Sequence, residues 1–460
     1  MVTAAERFGE FVAGIGLPSI PEPVQATAAL HALDTLGCGL AAFALDAAPY
    51  ATALLEAGTR GPSTGIGSGA LPARDAAFLN GTLCHALDFD DTHPTSVVHV
   101  SAVIVPAALA AAQAAGATGA DLLAALVAGN EVSTRVGAAG SGEFHARGLH
   151  PTGVCGVFGA TAAAARAGRL DSRRTADALG IAGSMAAGLL EFLADGSQTK
   201  QLHAGWAAQS GLAAARLAAR GATGPRTVFE GDRGFFAAYL NGFDVDLEAL
   251  EGLGDRWATS EIAYKPYPAC HYTHAPVDAL AHLMDAEGLR VDDVERIVGL
   301  TDVVGVGLVC EPASAKVLPR TPYDAKFSLP WALAYRLVHG RLDVTSFTPD
   351  ALADPRVREL TPRIGYELRQ YAPTPDAFGG GARVYTRDGR VLEHELRYQR
   401  GGAENPLSEA AILEKYRTNA GLALPSEALR ALEHALLGLA EAPDLRFADV
   451  LAAAHSGVDS

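Results

Sequence analysis

The sequence is poor in cysteine, and its five cysteines (Cys38, Cys84, Cys155, Cys270 and Cys310) are scattered, with no CxxC pair. Thiolate-ligated zinc and iron–sulfur sites need cysteines grouped in sequence or gathered by the fold, so such a site is not expected. Unpaired cysteines suit a reducing compartment. Basic charge is in deficit too: 36 Lys and Arg stand against 52 Asp and Glu, a net charge of −16. Nucleic-acid binding draws most of its affinity from basic patches, so that class is set aside. A local basic pocket for a small anion remains compatible with an acidic chain. Uninterrupted apolar runs of membrane-spanning length are also missing. The stretch SAVIVPAALAAAQAAGATGA is broken by Pro106, Gln113 and Gly116 and reads as a buried core helix. The first residues, MVTAAERFGEFVAGIGL, carry Glu6 and Glu10 where a secretory signal would be basic. A cytoplasmic protein is the expectation.

Several catalytic signatures are absent as well. There is no HExxH metal motif and no GxSxG nucleophile elbow. The glycine-rich GPSTGIGSGA lacks the GK[ST] ending of a phosphate loop and reads as a plain loop.

What is present is helix after helix up to about residue 255. PVQATAALHALDTLGCGLAAFAL, ARDAAFLNGTLCHALDF, GADLLAALVAGNEVSTRVGAA and TADALGIAGSMAAGLLEFLA carry apolar residues at three-to-four spacing. Their apolar faces are mostly alanine and glycine, which lets helices approach closely. Near residue 258 the pattern changes. SEIAYKPYP is strand-like, VERIVGLTDVVG alternates, and RIGYELRQY and ARVYTRDGRVLEHELRYQ follow, the last with Asp388-Gly389 as a hairpin turn. Helices are expected between these strands at about 273–287 and 323–338. From Ser408 the chain reads as helix again. The fold class is therefore mainly α: an all-helical domain (1–258, completed by 402–460) with a smaller α+β domain inserted at 259–401.

Four segments concentrate reactive side chains. NGTLCHALDFDDTHPTSVVHV holds three histidines and three aspartates within the fifteen residues from His85 to His99. If its helix runs on to Asp88, His85 and Asp88 share a face, Thr92 lies at the helix end, and His99 opens the next helix. A solvated loop with capping aspartates is the plain alternative. In GLHPTGVCG, His150-Pro151 precedes a small-residue helix whose first N–H groups suit a carboxylate or simply a cap. In DGSQTKQLHAGW, Lys200 falls in the first turn of a helix, against the dipole, with His203 one turn on. It either pairs with a substrate carboxylate or is a surface lysine. In KPYPACHYTH, Lys265 enters a proline-held turn followed by Cys270, His271 and His274, and that rigidity suits a catalytic loop.

Taken together and in order, HALDFDDTH, GLHPTGVCGVFGATAAAARAGRL, DGSQTKQLHAGWAAQSGL with GPRTVFEGDRGF, KPYPACHYTH, and SAKVLPRTPYDAKFSLPWALA resemble the MmgE/PrpD family, from about residue 75 to 335. The resemblance implies a large helical domain with a smaller α+β lid, a homodimer, and catalysis without metal or organic cofactor. It implies a small anionic carboxylate substrate, and no nucleic-acid or membrane partner. Carried over residue by residue, it implies Asp88, Thr92, His99, His150, Lys200 and Lys265 as site residues. The decarboxylase branch has a histidine five residues after the lysine. Here Cys270 stands there, with His271 beside it as a catalytic candidate and His274 and Tyr323 as substrate-binding candidates. Lys326 either lines the site or stabilises it. The activity implied is proton abstraction and elimination, most simply dehydration of a polycarboxylate such as 2-methylcitrate. Epimerisation, isomerisation or decarboxylation of a related acid is the alternative. A non-catalytic binding homologue is the remaining reading.

Overall fold

The computed structural model describes residues 2–371 and 378–455 and is mainly α-helical, with a small sheet region. The chain divides into two units, one formed by residues 1–86, 90–262 and 408–460, the other by 87–89 and 263–407. Residues 1, 372–377 and 456–460 of the expected domains lie outside the described residues. The first junction falls beyond residue 258 because the Glu131 carboxylate accepts the backbone N–H groups of Ala258 and Thr259 and the Thr259 hydroxyl. That keeps the segment with the helical unit.

In the first unit, local chemistry sets the helix ends. A capping box between Thr3 and Glu6 opens α1, Ala4–Gly14. Helix α2, Glu22–Ala44, has the length and composition to cross a membrane, and 78% of its most apolar stretch is buried within the protein. Helix α3 spans Ala73–Ala86 and α4 spans Val100–Ala115, ending at Gly116 with φ of 61°. Helix α5, Gly119–Ala139, starts from a Thr118–Asp121 capping box. Helices Gly156–Ala167, Ser172–Ala182 and Thr199–Ala219 follow, and Glu409–Ala420 and Ser426–Leu437 complete the unit. Glu409–Ala420 is tied to α2 by Lys415, whose Nζ lies 2.8 Å from both carboxylate oxygens of the buried Asp34.

Glycine allows the closest helix crossing. A Cβ on Gly81 of α3 would lie 2.8 Å from Gly205 Cα, and one on Gly205 would lie 2.4 Å from the Phe78 carbonyl oxygen. Backbone meets backbone there, and no side chain fits between them.

Two expectations for this unit fail. TADALGIAGSMAAGLLEFLA is not one helix: it stops at Ala182 and resumes only as a short turn at Glu191–Leu193. Gly188 has φ of 153°, a conformation outside any helix, which breaks the run. The unit is not all-helical either. GPSTGIGSGA forms a hairpin of β1, Ser63–Gly65, and β2, Gly69–Leu71, with Gly67 at φ of 62° against the Phe43 ring. Strands of three residues are too short to show alternation.

The second unit is built on a four-stranded sheet of order β4-β3-β5-β6. Strand β3, Val294–Thr301, is buried over its second half, parallel to β4, Ile364–Leu368, and antiparallel to β5, Gly380–Thr386. Strand β6, Val391–Leu396, pairs antiparallel with β5 across the Asp388-Gly389 turn, as the sequence suggests. Gly389 has φ of 88° there. Helix His274–Glu287 packs on β5 and β6, and helix Leu329–His339 packs against that helix around Trp331. The latter starts at 329 rather than 323 because Ser328 caps it, its Oγ accepting the Trp331 N–H. SEIAYKPYP is not a strand: Pro266 and Pro268 have no N–H to offer a ladder, and Tyr264 N–H bonds to the Gly401 carbonyl instead.

Gly205→Ala is expected to destabilise the protein by about 1–3 kcal/mol through overpacking at the crossing. Denaturant unfolding should show a lower midpoint with an unchanged slope.

Candidate functional site

Helix α3 ends at Ala86, two residues short of the expected end, and Asp88 takes the left-handed conformation with φ of 53°. The expected pairing of His85 with Asp88 on one helical face is therefore not formed. The left-handed turn re-aims the chain, and the three aspartates of DFDD go to three different partners.

Asp90 goes to the histidines. Its Oδ2 lies 2.7 Å from His85 Nδ1 and 3.2 Å from His99 Nδ1. Thr92 Oγ1 lies 3.3 Å from His99 Nδ1, and the His99 backbone N–H donates to Thr152 Oγ1. Burial alone would raise the Asp90 carboxyl. The charges and hydrogen bonds of His85 and His99 outweigh it and hold the group well below the usual carboxylate range. A carboxylate that accepts from Nδ1 of a ring fixes that ring's tautomer and direction. His85 is fully buried, and its Nε2 has no hydrogen-bond partner among the described residues.

Asp91 turns the other way. Its Oδ2 lies 2.7 Å from His31 Nδ1 on α2, and its Oδ1 accepts the Ser101 N–H in the first turn of α4. His93 is held by Ser96 and Glu261.

Two further histidines extend the cluster. The His150 ring stacks on His85 with centroids 5.7 Å apart and planes at 22°, and its Nδ1 lies 3.0 Å from His203 Nδ1. His99 is 4.8 Å from His85 and 6.1 Å from His150. Lys200 lies in the first turn of Thr199–Ala219, as expected, but it is buried, so the surface reading fails. Burial, then the charges of His203 and Lys200, hold His150 well below its usual range. Burial, His85 and Lys200 bring His203 down to about 4, and burial and Lys200 bring His145 to about 4. His150 and His203 are therefore neutral near pH 7.

His85, Asp90 and His99 also offer three donor atoms within 4.8 Å of one another, a candidate metal cluster by spacing. The histidine–carboxylate separations of 2.7 and 3.2 Å are those of hydrogen bonds that already satisfy these atoms. The arrangement fits shared protons at least as well as a metal.

Asp88 belongs to the second unit, with Lys265. Lys265 Nζ lies 3.0 Å from the Asp88 carbonyl oxygen and 3.2 Å from its Oδ1, and both residues are buried. Lys326 donates to the carbonyls of Leu87 and Pro268 and sits over the Phe347 ring, so it holds backbone in place. His271 stacks on Phe378 with planes at 8° and lies 4.8 Å from His274. His274 Nε2 donates to the Ala269 carbonyl, and burial followed by the Lys265 charge keeps its ring well below the usual range. Cys270 is buried, its N–H bonded to the Lys326 carbonyl, and Tyr323 packs on Phe327.

Of the residues expected at the site, the first unit thus gathers Thr92, His99, His150 and Lys200, and the second gathers Asp88, Lys265, His271 and His274, with Tyr323 packed in its core. The sequence motifs put none of His85, Asp90 and His203 among the site residues. The five-residue spacing of His85 and Asp90 matches no helical pairing, and only the turn at Asp88 brings them together.

Comparison with known proteins gives two matches in order along the chain: the MmgE/PrpD N-terminal domain at residues 6–248 and the MmgE/PrpD C-terminal domain at 267–438. Among curated relatives, cis-aconitate decarboxylase of Homo sapiens is 30% identical over 443 residues, covering 93% of this chain and 90% of the human protein. The Mus musculus cis-aconitate decarboxylase is 28% identical over 94% of this chain and 89% of its own. That of Aspergillus terreus is 28% identical over 80% of this chain and 79% of its own. Both halves of the sequence match in the family's order, and the chain belongs to the MmgE/PrpD family.

Proposed function

We propose that the protein is a lyase that moves a proton at a carbon beside a carboxylate of a small di- or tricarboxylate. The observation that carries this reading is Asp90, one buried carboxylate shared by Nδ1 of two imidazoles, with the neutral His150 stacked beside them. Such a group fixes which ring nitrogen is available. A neutral imidazole of this kind accepts a carbon-bound proton, and a protonated one delivers it. Lys200 supplies a buried cation in the same unit, suited to a substrate carboxylate and to the charge of an enolate. We extend the assignment to Lys265 and Asp88 on the strength of the KPYPACHYTH and HALDFDDTH motifs.

The finer reaction is a choice among three. In dehydration, the α-proton leaves to a ring nitrogen and hydroxide departs with a donated proton. In decarboxylation, the C–C bond breaks, its electron pair stays on carbon, and an imidazolium protonates that carbon. The names of the curated relatives favour decarboxylation of cis-aconitate. Cys270, in place of the decarboxylase branch's histidine, favours dehydration of an acid such as 2-methylcitrate. Epimerisation uses the same proton transfers without loss of a group. We place the protein in the cytoplasm, as a homodimer that uses neither metal nor organic cofactor.

Incubation with cis-aconitate, 2-methylcitrate, citrate and iminodisuccinate in deuterated water is expected to give product from at least one acid. Release of CO2, loss of water, or deuterium uptake without net product identifies the reaction, and inertness toward all four acids counts against the proposal. His150→Ala, Lys265→Ala and Asp90→Asn are each expected to lower kcat/KM at least about tenfold, about 1.4 kcal/mol of transition-state stabilisation, with folding intact by circular dichroism. Wild-type turnover in all three refutes the site. Treatment with a chelator is expected to leave the rate unchanged. A loss restored by added zinc would make His85, Asp90 and His99 ligands instead.

A further inference from the structure

His203 has no task in the proposed reaction. Its ring lies within hydrogen-bond distance of His150, Nδ1 to Nδ1 at 3.0 Å. Two neutral imidazoles can meet in this way only as opposite tautomers, one donating its Nδ1–H and the other accepting. His150 is only 3% exposed, whereas His203 is half-buried and lines a groove of about 680 Å³ in the first unit. Leu54, Phe78, Phe192 and Trp206 wall that groove, and Phe192 makes edge contacts with both rings. The His150 ring is thus cut off from bulk water except through its neighbours, and one of them faces a groove.

We infer that His203 is a proton relay between His150 and water in this groove. The inference rests on the proposed proton transfer at His150. In the forward sense, His150 Nε2 takes the proton from the substrate carbon, and the C–H electron pair stays on the substrate as an enolate. The Nδ1–H proton of His150 passes to His203 Nδ1. The Nε2–H proton of His203 passes to a groove water. Each ring gains one proton and loses one, so both end neutral with their tautomers exchanged. A proton travelling back along the same line resets them. Among the described residues, the charged and titratable groups facing the pair include Lys200 on the helix of His203, His85 from α3 and His99 at the start of α4, with Glu191 and Asp195 on the groove wall. The Lys200 cation favours neutral resting rings, the state the relay requires.

Two measurements test the relay. The first needs no substrate. Nitrogen-15 spectra of histidine-labelled protein near pH 7 are expected to show His150 and His203 as opposite tautomers sharing one Nδ1 proton. Two Nε2–H tautomers would overturn the inference. The second is kinetic, with cis-aconitate or whichever acid of the panel is turned over. His203→Ala and His203→Asn are both expected to lower kcat about tenfold or more in dilute buffer, the scale of a lost acid–base partner, with KM little changed. Added imidazole, small enough for the groove, should restore much of the loss. His203→Asn keeps a hydrogen-bonding side chain without a relay, so full activity in that variant alone means positioning and overturns the relay. His150→Gln is the control. If it is inactive while both His203 variants run at the wild-type rate, the relay falls and the proposed function stands. If it turns over normally, both fall.

Discussion

The arrangement depends first on a carboxylate that cannot leave its two imidazoles. Asp90 is fully buried, and removing an ionised carboxyl from water is costly unless partners satisfy it. His85 and His99 both meet its Oδ2 through their Nδ1 atoms. The cost of desolvation makes the alternatives worse, so tautomer and ring direction are fixed together. Every nearby element meets that condition. Helix α3 must end before Asp90, Asp88 must take a conformation that sends the chain back, and His99 must stand at the first turn of α4. Thr152 holds the His99 backbone and Asp91 holds the α4 N-terminus, so the second ring has little freedom.

The crossing of α3 with Thr199–Ala219 at Gly81 and Gly205 is the counterpart in packing. His85 lies one turn beyond Gly81, and Lys200 and His203 lie within the turns preceding Gly205. Close backbone contact at the crossing brings these side chains into one cluster. An alanine at either glycine would separate the backbones and move the rings by an appreciable fraction of an ångström. Proton transfer between rings at 3.0 Å is sensitive to such a shift. The small-residue composition, which at first suggests only tight packing, thereby sets the site's geometry.

How much of this the sequence disclosed follows from the range of each interaction. Helix periodicity, the Asp388-Gly389 hairpin and the placing of Lys200 in a first helical turn are local, and the sequence shows them. The family motifs pointed to His99, His150 and Thr92, which the fold does gather with Lys200. What stayed hidden depends on single backbone angles or on contacts between distant segments. The partner of His85 turns on one positive φ at Asp88. The assignment of Leu87–Phe89 to the second unit depends on Lys265 and Lys326, lysines far along the chain that bond to Leu87 and Asp88. His203 became visible only when two helices set its ring against His150. The β1–β2 hairpin escaped because its strands are too short for a pattern.

The lysines show how an acidic chain concentrates positive charge where it counts. Lys326 spends its donors on carbonyls, and Lys265 faces the Asp88 carboxylate, which offsets its charge. The charge of Lys200 is felt by three imidazoles, His145, His150 and His203, and disfavours a proton on each. An anion bound beside Lys200 would offset that field. Its negative charge would raise the proton affinity of the neighbouring rings, since a nearby opposite charge favours the protonated imidazole. On the proposed reading, His150 becomes a better base once a carboxylate arrives. The site would then stay neutral and unreactive while empty, and the substrate's own charge would switch on the proton transfer it undergoes.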